Sequence, residues 1–245
     1  MTEITETIPA GLRPWSVDWP AYEPTDVTPP ELRPSALARH VPSWAEAAPT
    51  PADVHDWPWR QAAALVPYEL DEQGWPLNPG GRTGRTGRHL GRWGENSAAD
   101  PIVVAGSGQQ RQVLLITRDD ILQEAIPGGM SDPGETAPDT LVRELREETG
   151  VDLSEHRPVI LGRDLVDDWR TSDRAWVAST SALYLLPATV PAVGADDALA
   201  ADWWPFLSLD QLDAAITAAG RTLYAAHRPL LQRALDHLTQ QPTRQ

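Results

Sequence analysis

The stretch Gly129-Met-Ser-Asp-Pro-Gly-Glu135-Thr-Ala-Pro-Asp-Thr-Leu-Val-Arg143-Glu144-Leu145-Arg-Glu147-Glu148-Thr-Gly150-Val151 decides how this chain is read. Its second half predicts a helix from Thr136 to Thr149. Pro138 and Asp139 suit the first turn of that helix, and Gly150 suits its stop. Glu144 and Glu148 stand four residues apart, so both carboxylates leave one face, with Glu147 one turn from Glu144 on the same flank. Leu141 and Leu145 form a neighbouring stripe that can enter a core. An Arg-Glu-x-x-Glu-Glu run alone is ordinary on a solvated helix. The loop glycine, the isolated Glu135, the stop glycine and two apolar positions are not ordinary company for it.

Three carboxylates so close repel one another at neutral pH unless cations lie between them. Hard oxygen donors select Mg2+ or Mn2+ rather than Zn2+. Glu144, Glu147 and Glu148 are therefore the expected metal ligands, joined by the backbone carbonyl of Gly128, which the tight Pro-Gly-Gly turn leaves room to approach. Arg143 is expected to pair with Glu135 and Glu147 and to tie loop to helix. Gly129, Glu135 and Arg143 are thus structural members of the motif. Such a site supports attack of a metal-activated water on a diphosphate, with a carboxylate orienting or deprotonating the water.

Around this motif the pattern is regular. Strands are expected at Pro101–Ala105, Gln112–Arg118, Glu124–Ile126, Val159–Val166, Trp176–Leu186 and Ala201–Pro205. Closing helices are expected at Ser208–Ala219 and Tyr224–Leu238. In the Trp176–Leu186 strand, Trp176, Ala178, Thr180, Ala182 and Tyr184 should share one face. Strands flanked by helices in this order predict an α/β layered sandwich. Upstream, the first 80 residues hold more than half of the 24 Pro and six of the 11 Trp. That aromatic content predicts an ordered, irregular lobe, with short helices at Pro34–His40 and Pro51–Leu65, instead of a disordered arm.

The chain carries 35 acids against 20 bases, a net charge of −15, and every base is Arg. Long-range repulsion then opposes binding to nucleic acids or anionic membranes. With no cysteine, disulfides, thiolate metal sites and a cysteine nucleophile are excluded. The acidic start lacks a secretory signal and no apolar run reaches membrane-spanning length, so a cytoplasmic protein is expected. Four Gly-Arg pairs, at residues 81, 84, 87 and 91, form the one basic cluster. They read either as a phosphate- or RNA-facing loop or as a connector whose arginines pair with acids.

The whole motif satisfies the Nudix signature, and its flanks narrow the resemblance. Asn78-Pro-Gly-Gly-Arg-Thr-Gly84, Leu90-Gly-Arg-Trp-Gly-Glu-Asn-Ser-Ala-Ala-Asp-Pro101, Val166-Asp-Asp-Trp-Arg-Thr-Ser-Asp-Arg-Ala-Trp176, Ala195-Asp-Asp-Ala198 and Leu223-Tyr-Ala-Ala-His227 resemble the mitochondrial-type ADP-ribose pyrophosphatases of the Nudix superfamily. So does Trp15-Ser-Val-Asp-Trp-Pro-Ala-Tyr-Glu-Pro24.

The resemblance implies a Nudix α/β/α sandwich with a mixed sheet (78–245) and a small irregular Pro/Trp-rich N-terminal lobe (1–77). It implies ADP-ribose cut to AMP and ribose 5-phosphate, with the ligand between lobe and sandwich. Asp168, Arg170 and Tyr224 would contact the substrate, and Asn96 and Ser97 fall where the family's loop approaches it. Ser97 replaces a His common in relatives, and Ala226 an Asn. Asp196 or Asp197 stands where many Nudix enzymes carry the water-activating carboxylate, and of the two Asp197 is expected to fill that role. The Gly-Arg segment matches a family connector, so Arg82 and Arg92 are expected to be structural or lobe-bridging. Two other functions stay open: hydrolysis of another nucleoside diphosphate derivative, such as a dinucleotide or nucleotide sugar, and non-catalytic ADP-ribose sensing, as in a melastatin-type channel domain. The sequence leaves the oligomeric state undetermined.

Overall fold

A computed structural model describes residues 8–132 and 134–240. The acidic start at Met1–Glu6, on which the expected lack of a secretory signal rests, lies outside these residues. The chain divides into two compact units, one formed by residues 1–97 with 163–179 and the other by 98–162 with 180–245.

The first unit is poor in regular structure, as its proline content dictates. Strands β1 (Thr25–Asp26) and β2 (Arg85–Thr86) pair in parallel, and the helices are short: α1 (Pro34–Leu37) and α2 (Trp57–Ala63). Both helices are shorter than expected. The Pro34–His40 helix stops at Leu37, and the Pro51–Leu65 span breaks into a 3-10 turn at Pro51–Asp53 before α2. The aromatic side chains supply the packing instead. Val54, Trp57, Tyr68, Trp93 and Trp176 form one buried cluster.

Segment 163–179 belongs here because buried Asp173 is a hub. Its carboxylate accepts from Tyr22 Oη at 2.6 Å and from Thr83 N and Oγ1 at 2.7 Å, while its carbonyl accepts from Asn78 N. Burial pushes its pKa up despite these donors.

The Gly-Arg segment is also an internal scaffold. Arg82, 7 % exposed, donates to the carbonyls of Leu12, Pro14 and Val17, and its guanidinium lies over the rings of Trp15 and Tyr22. Arg85 donates to Trp169 O. Arg88, fully buried, donates to Gly91 O and Glu46 O and pairs with the Glu46 carboxylate at 3.4 Å. The expectation that these arginines pair with acids is corrected for Arg82 and Arg85. Backbone carbonyls of an irregular, proline-rich chain lack ladder partners, and arginine's five donors fill that need. Arg82→Met should therefore cost about 3 kcal/mol, the scale of losing several charge-assisted hydrogen bonds. A lowered melting temperature with faster proteolysis between residues 8 and 25 is the expected result.

The second unit is built on a seven-stranded sheet of order β5-β4-β3-β8-β7, with β6 paired to β3 and β9 paired to β4. The strands are β3 (Gly94–Ala105), β4 (Gln112–Arg118), β5 (Glu124–Ala125), β6 (Gly129–Met130), β7 (Val159–Leu165), β8 (Ala175–Leu186) and β9 (Ala198–Pro205). β3 and β8 begin in the first unit. The ladders of β4 with β3, β5 and β9 are antiparallel, and a parallel bridge joins Glu124 to Leu223, so the sheet is mixed.

Strand alternation sorts side chains to two faces. Ile102, Val104, Val113 and Leu115 pack with Leu212 and Ile216 of α4 (Leu209–Ala218) and Leu231 and Leu235 of α5 (Arg228–Gln240). Val103, Ala105, Leu114 and Ile116 pack with Leu145 of α3 (Ala137–Thr149), Val151 and Leu153. This is the expected α/β/α sandwich.

Several boundaries move. β3 starts seven residues before Pro101, and β9 three before Ala201. Residues 175–184 of β8 are all buried, so both faces of that strand are covered. The last helix begins at Arg228 and not Tyr224, because Ala225–His227 form a 3-10 turn. No helix among the described residues is long and apolar enough to cross a membrane.

Candidate active site

Helix α3 is fixed at both ends by its own sequence. Asp139 accepts from the backbone N–H of Thr136 at 3.0 Å, closing a capping box, and Pro138 lies in the first turn. Gly150 ends the helix at φ 71°, and its N–H returns to Arg146 O. Leu141 and Leu145 are fully buried, as their spacing predicts.

Arg143 is the centre of the motif's scaffold. It donates to Glu135 through Nε (2.7 Å) and Nη2 (2.9 Å), to Met130 O at 2.9 Å and to Glu147 at 3.0 Å. Its Nη1 also pairs with Glu144 at 2.9 Å, a contact the sequence reading did not include. Hydrogen bonds from Arg143, outweighing burial, hold Glu135 down at a pKa of about 2. Loop and helix are thereby cross-linked by one side chain.

The remaining acids converge on the Pro-Gly-Gly turn. Glu148 Oε2 accepts from Gly128 N at 2.8 Å and hydrogen-bonds the Asp197 side chain. The Glu144 carboxylate lies over Gly129, where a Cβ would come within 2.6 Å of Oε1. A Cβ on Gly128, whose φ is 147°, would meet Ala99 O at 2.5 Å. Gly128 is thus required by close approach to backbone, whereas at Gly129 the neighbour is the end of a side chain that can shift. Burial raises Glu148 to a pKa of about 9, with Asp197 and Glu144 adding to the rise and the Gly128 N–H opposing it. Burial likewise raises Glu144 to about 7, with Arg143 opposing.

Among the described residues no three His, Cys, Asp or Glu side chains form a ready-made metal cage. Glu144 and Glu147 turn to Arg143, while Glu148 hydrogen-bonds the Asp197 side chain. The donor set nevertheless fits a hard divalent cation: Glu144 and Glu148 are buried oxygen donors whose charged forms neighbouring carboxylates disfavour, Glu147 is exposed beside them, and the turn next to them is one that only glycine can make. A cavity of about 420 Å3 lies along α3, lined by residues including Glu135, Pro138, Arg143, Arg146 and His156 but by none of Glu144, Glu147 or Glu148.

The loop carrying Asp197 is stapled to the end of α3. Ala195 N donates to Glu148 O, Val193 N to Thr149 O, and Asp119 N to Asp197 O. Asp196 takes φ 55°, a strained conformation for a non-glycine residue. Of the two candidates, Asp197 is the one bonded to Glu148.

Tyr224 packs edge-on to His227, with ring centroids 4.9 Å apart, beneath the Arg118 guanidinium. In the first unit, Asp168 and Arg170 form a two-pronged ion pair at 2.7 and 2.9 Å on a loop that leaves Trp169 66 % exposed. Burial would raise the Asp168 pKa, but the Arg170 hydrogen bonds outweigh it and hold it low. Ser97 is partly exposed. Asn96 is 4 % exposed, and its amide is occupied by Arg92 N, Arg92 O and Gly94 O, so it knots its own loop. Sequence reasoning gave no role to His227, whose Nδ1 accepts from Ile126 N at 2.9 Å. Its one visible signal was its place at the end of the Leu223–His227 motif.

Comparison with known proteins agrees with this geometry. Residues 96–227 match the NUDIX domain family model, and residues 8–94 match the model described as NUDT9-like, N-terminal domain. "Putative nudix hydrolase 6" of Caenorhabditis elegans is 36% identical over 188 residues, covering 69% of this chain and 69% of its own. "ADP-ribose pyrophosphatase, mitochondrial" of Rattus norvegicus is 34% identical over 208 residues, covering 69% of this chain and 57% of its own. A "Transient receptor potential cation channel subfamily M member-like 2" of Nematostella vectensis is 32% identical over 208 residues, 68% of this chain but 13% of the channel. The solved Nudix domain of Shewanella oneidensis NrtR, complexed with ADP ribose, aligns over 59% of this chain and 89% of its own at 20% identity, with a TM-score of 0.46. From the matched domain, the complete signature and the shared length with its nematode relative, this chain belongs to the Nudix hydrolase family.

Proposed function

We propose that this chain hydrolyses the diphosphate of ADP-ribose to AMP and ribose 5-phosphate, using Mg2+ or Mn2+. The observation that carries the reading is that likeness extends beyond the Nudix domain into residues 8–94, and includes a rat protein named for this activity.

In this reading Glu144, Glu147, Glu148 and the Gly128 carbonyl hold the metal. A divalent cation bound there would neutralise phosphate charge and make an attacking water more acidic. Asp197, adjacent to Glu148, takes the proton of that water as its oxygen attacks phosphorus and the bridging P–O bond breaks. Arg143 and Glu135 keep the loop and helix in register. Asp168, Arg170 and Tyr224 contact the substrate, with Ser97 nearby and Asn96 shaping its loop. Arg170 is the natural partner for an anionic oxygen, presented by the Asp168 carboxylate that pairs with it. An acidic chain without cysteine suits the cytoplasm, although the rat relative is named as mitochondrial.

Incubation of the full chain with ADP-ribose and Mg2+, with products separated by chromatography, tests the reading. AMP and ribose 5-phosphate are expected, with kcat/KM at least about tenfold above that for dinucleotides or nucleotide sugars, the equivalent of about 1.4 kcal/mol. Faster cleavage of another nucleoside diphosphate derivative would replace ADP-ribose as the substrate. Binding without turnover would make the chain a sensor.

A further inference from the structure

The segment Ile126–Gly129, which carries the proposed metal-facing turn, is held from three sides. Gly129 and Met130 pair with Ala99 and Ala98 of β3, and Gly128 N donates to Glu148. The third support is at Ile126. Residues 222–224 run parallel to β5, with Glu124 N donating to Thr222 O and Tyr224 N to Glu124 O, each at 2.8 Å. The next donor in that ladder is Ile126 N. The carbonyl it would meet, Tyr224 O, instead accepts His227 N as the chain turns into its 3-10 helix. The imidazole Nδ1 of His227 fills the place of that carbonyl at 2.9 Å. Pro127 has no N–H, so this bond is the last one before the turn. Accepting at Nδ1 places the ring proton of a neutral imidazole on Nε2. Burial, opposed by Asp100 and reinforced by Arg118, lowers the pKa of the ring and keeps it neutral.

We propose that His227 is a positioning residue of the hydrolytic site, its Nδ1 fixing one end of the Ile126–Gly129 turn and, through it, the contact between Gly128 and Glu148. The inference rests on the metal-dependent reading above and adds a residue that acts through backbone alone.

Two variants of the full chain separate positioning from packing. His227→Asn keeps an acceptor near Nδ1 and loses the ring. His227→Phe keeps the ring against Tyr224 and loses the acceptor. The readouts are amide hydrogen exchange at Ile126 and Gly128 without metal, binding of Mn2+ alone, and kcat and KM for ADP-ribose. For His227→Phe we expect exchange at both amides to rise about tenfold or more, Mn2+ affinity to fall about tenfold, and kcat to fall with KM little changed, the scale of one lost hydrogen bond. His227→Asn should stay within about threefold of wild type on all readouts. The opposite order, with Phe tolerated and Asn impaired, would overturn the proposal, as would unchanged exchange in the Phe variant. If the wild type binds no Mn2+, the metal reading fails by itself, and the exchange data still decide whether His227 holds the turn.

Discussion

Glu148→Gln should lower kcat by about three orders of magnitude, about 4 kcal/mol of lost transition-state stabilisation, while leaving the metal-free protein as stable as wild type. The two halves of this expectation have one cause. Glu148 is 3 % exposed, and burial lifts its pKa from 4.5 to about 9. The folded state therefore keeps a proton that the unfolded state releases between those values. Protonation favours folding across that window, and metal-free stability falls as pH rises from about 4.5 to about 9. Glutamine imitates the protonated acid at every pH and removes that slope. At pH 8 without metal the variant should melt at or above the wild-type temperature. Adding Mg2+ should raise the melting temperature of the wild type and not of the variant. Full activity in Glu148→Gln would sink its role as a metal ligand.

Gly128→Ala is the second large effect, and it is steric. The added methyl would stand 2.5 Å from Ala99 O and 2.9 Å from Asp100 Oδ1, on a backbone at φ 147°. Ala99 O belongs to a strand and cannot swing aside as a side chain could. The turn must move, taking the Gly128 N–H away from Glu148. We expect a loss of about 2–4 kcal/mol of stability from strain and overpacking. That corresponds to a fall in melting temperature of about 10 °C. Turnover should drop about a hundredfold, since misplacement near 1 Å has that cost. Gly134→Ala is the control. Its φ is also positive, at 91°, but no atom lies within 4 Å of the added Cβ. Equal damage from both substitutions would show that backbone strain alone, and not close approach, sets the requirement at Gly128.

The parts of the fold legible in the sequence were those governed by local periodicity. Helix α3 carries its capping box, its proline and its stop glycine within 15 residues, so its ends were predictable to one position. β8 was legible as a strand but not in its environment, because Ser, Thr and Ala fit a doubly buried strand as readily as a half-exposed one. Tyr224 was misplaced into a helix because Ala225-Ala-His227 has good helix propensity; the bond from Ile126 to His227, 101 residues away, overrides it. The same distance concealed the role of that histidine. That Glu144 and Glu148 share a helix face was readable from their spacing, whereas the ion pair of Arg143 with Glu144 was not. Glu144 is its immediate neighbour in sequence, and adjacent helical residues do not ordinarily face each other. Asn96 illustrates the converse. Its position in a motif suggested a ligand contact, and the fold gives its amide hydrogen bonds to residues within four positions and to Trp176 O, a local role the sequence did not show.

The two backbone bonds from Val193 and Ala195 to the end of α3 also bear on how such a site can diversify. They set the separation between the acid on the helix and the acid on the loop from a point after residue 192. Insertions between Pro187 and Thr189, which are exposed and precede the core-packed Val190, would change the surface of the protein without altering that separation. A single residue added between Ala195 and Asp197 would carry the aspartate off its partner. Length variation among descendants of this chain should therefore collect on one side of Val193 and be nearly forbidden on the other.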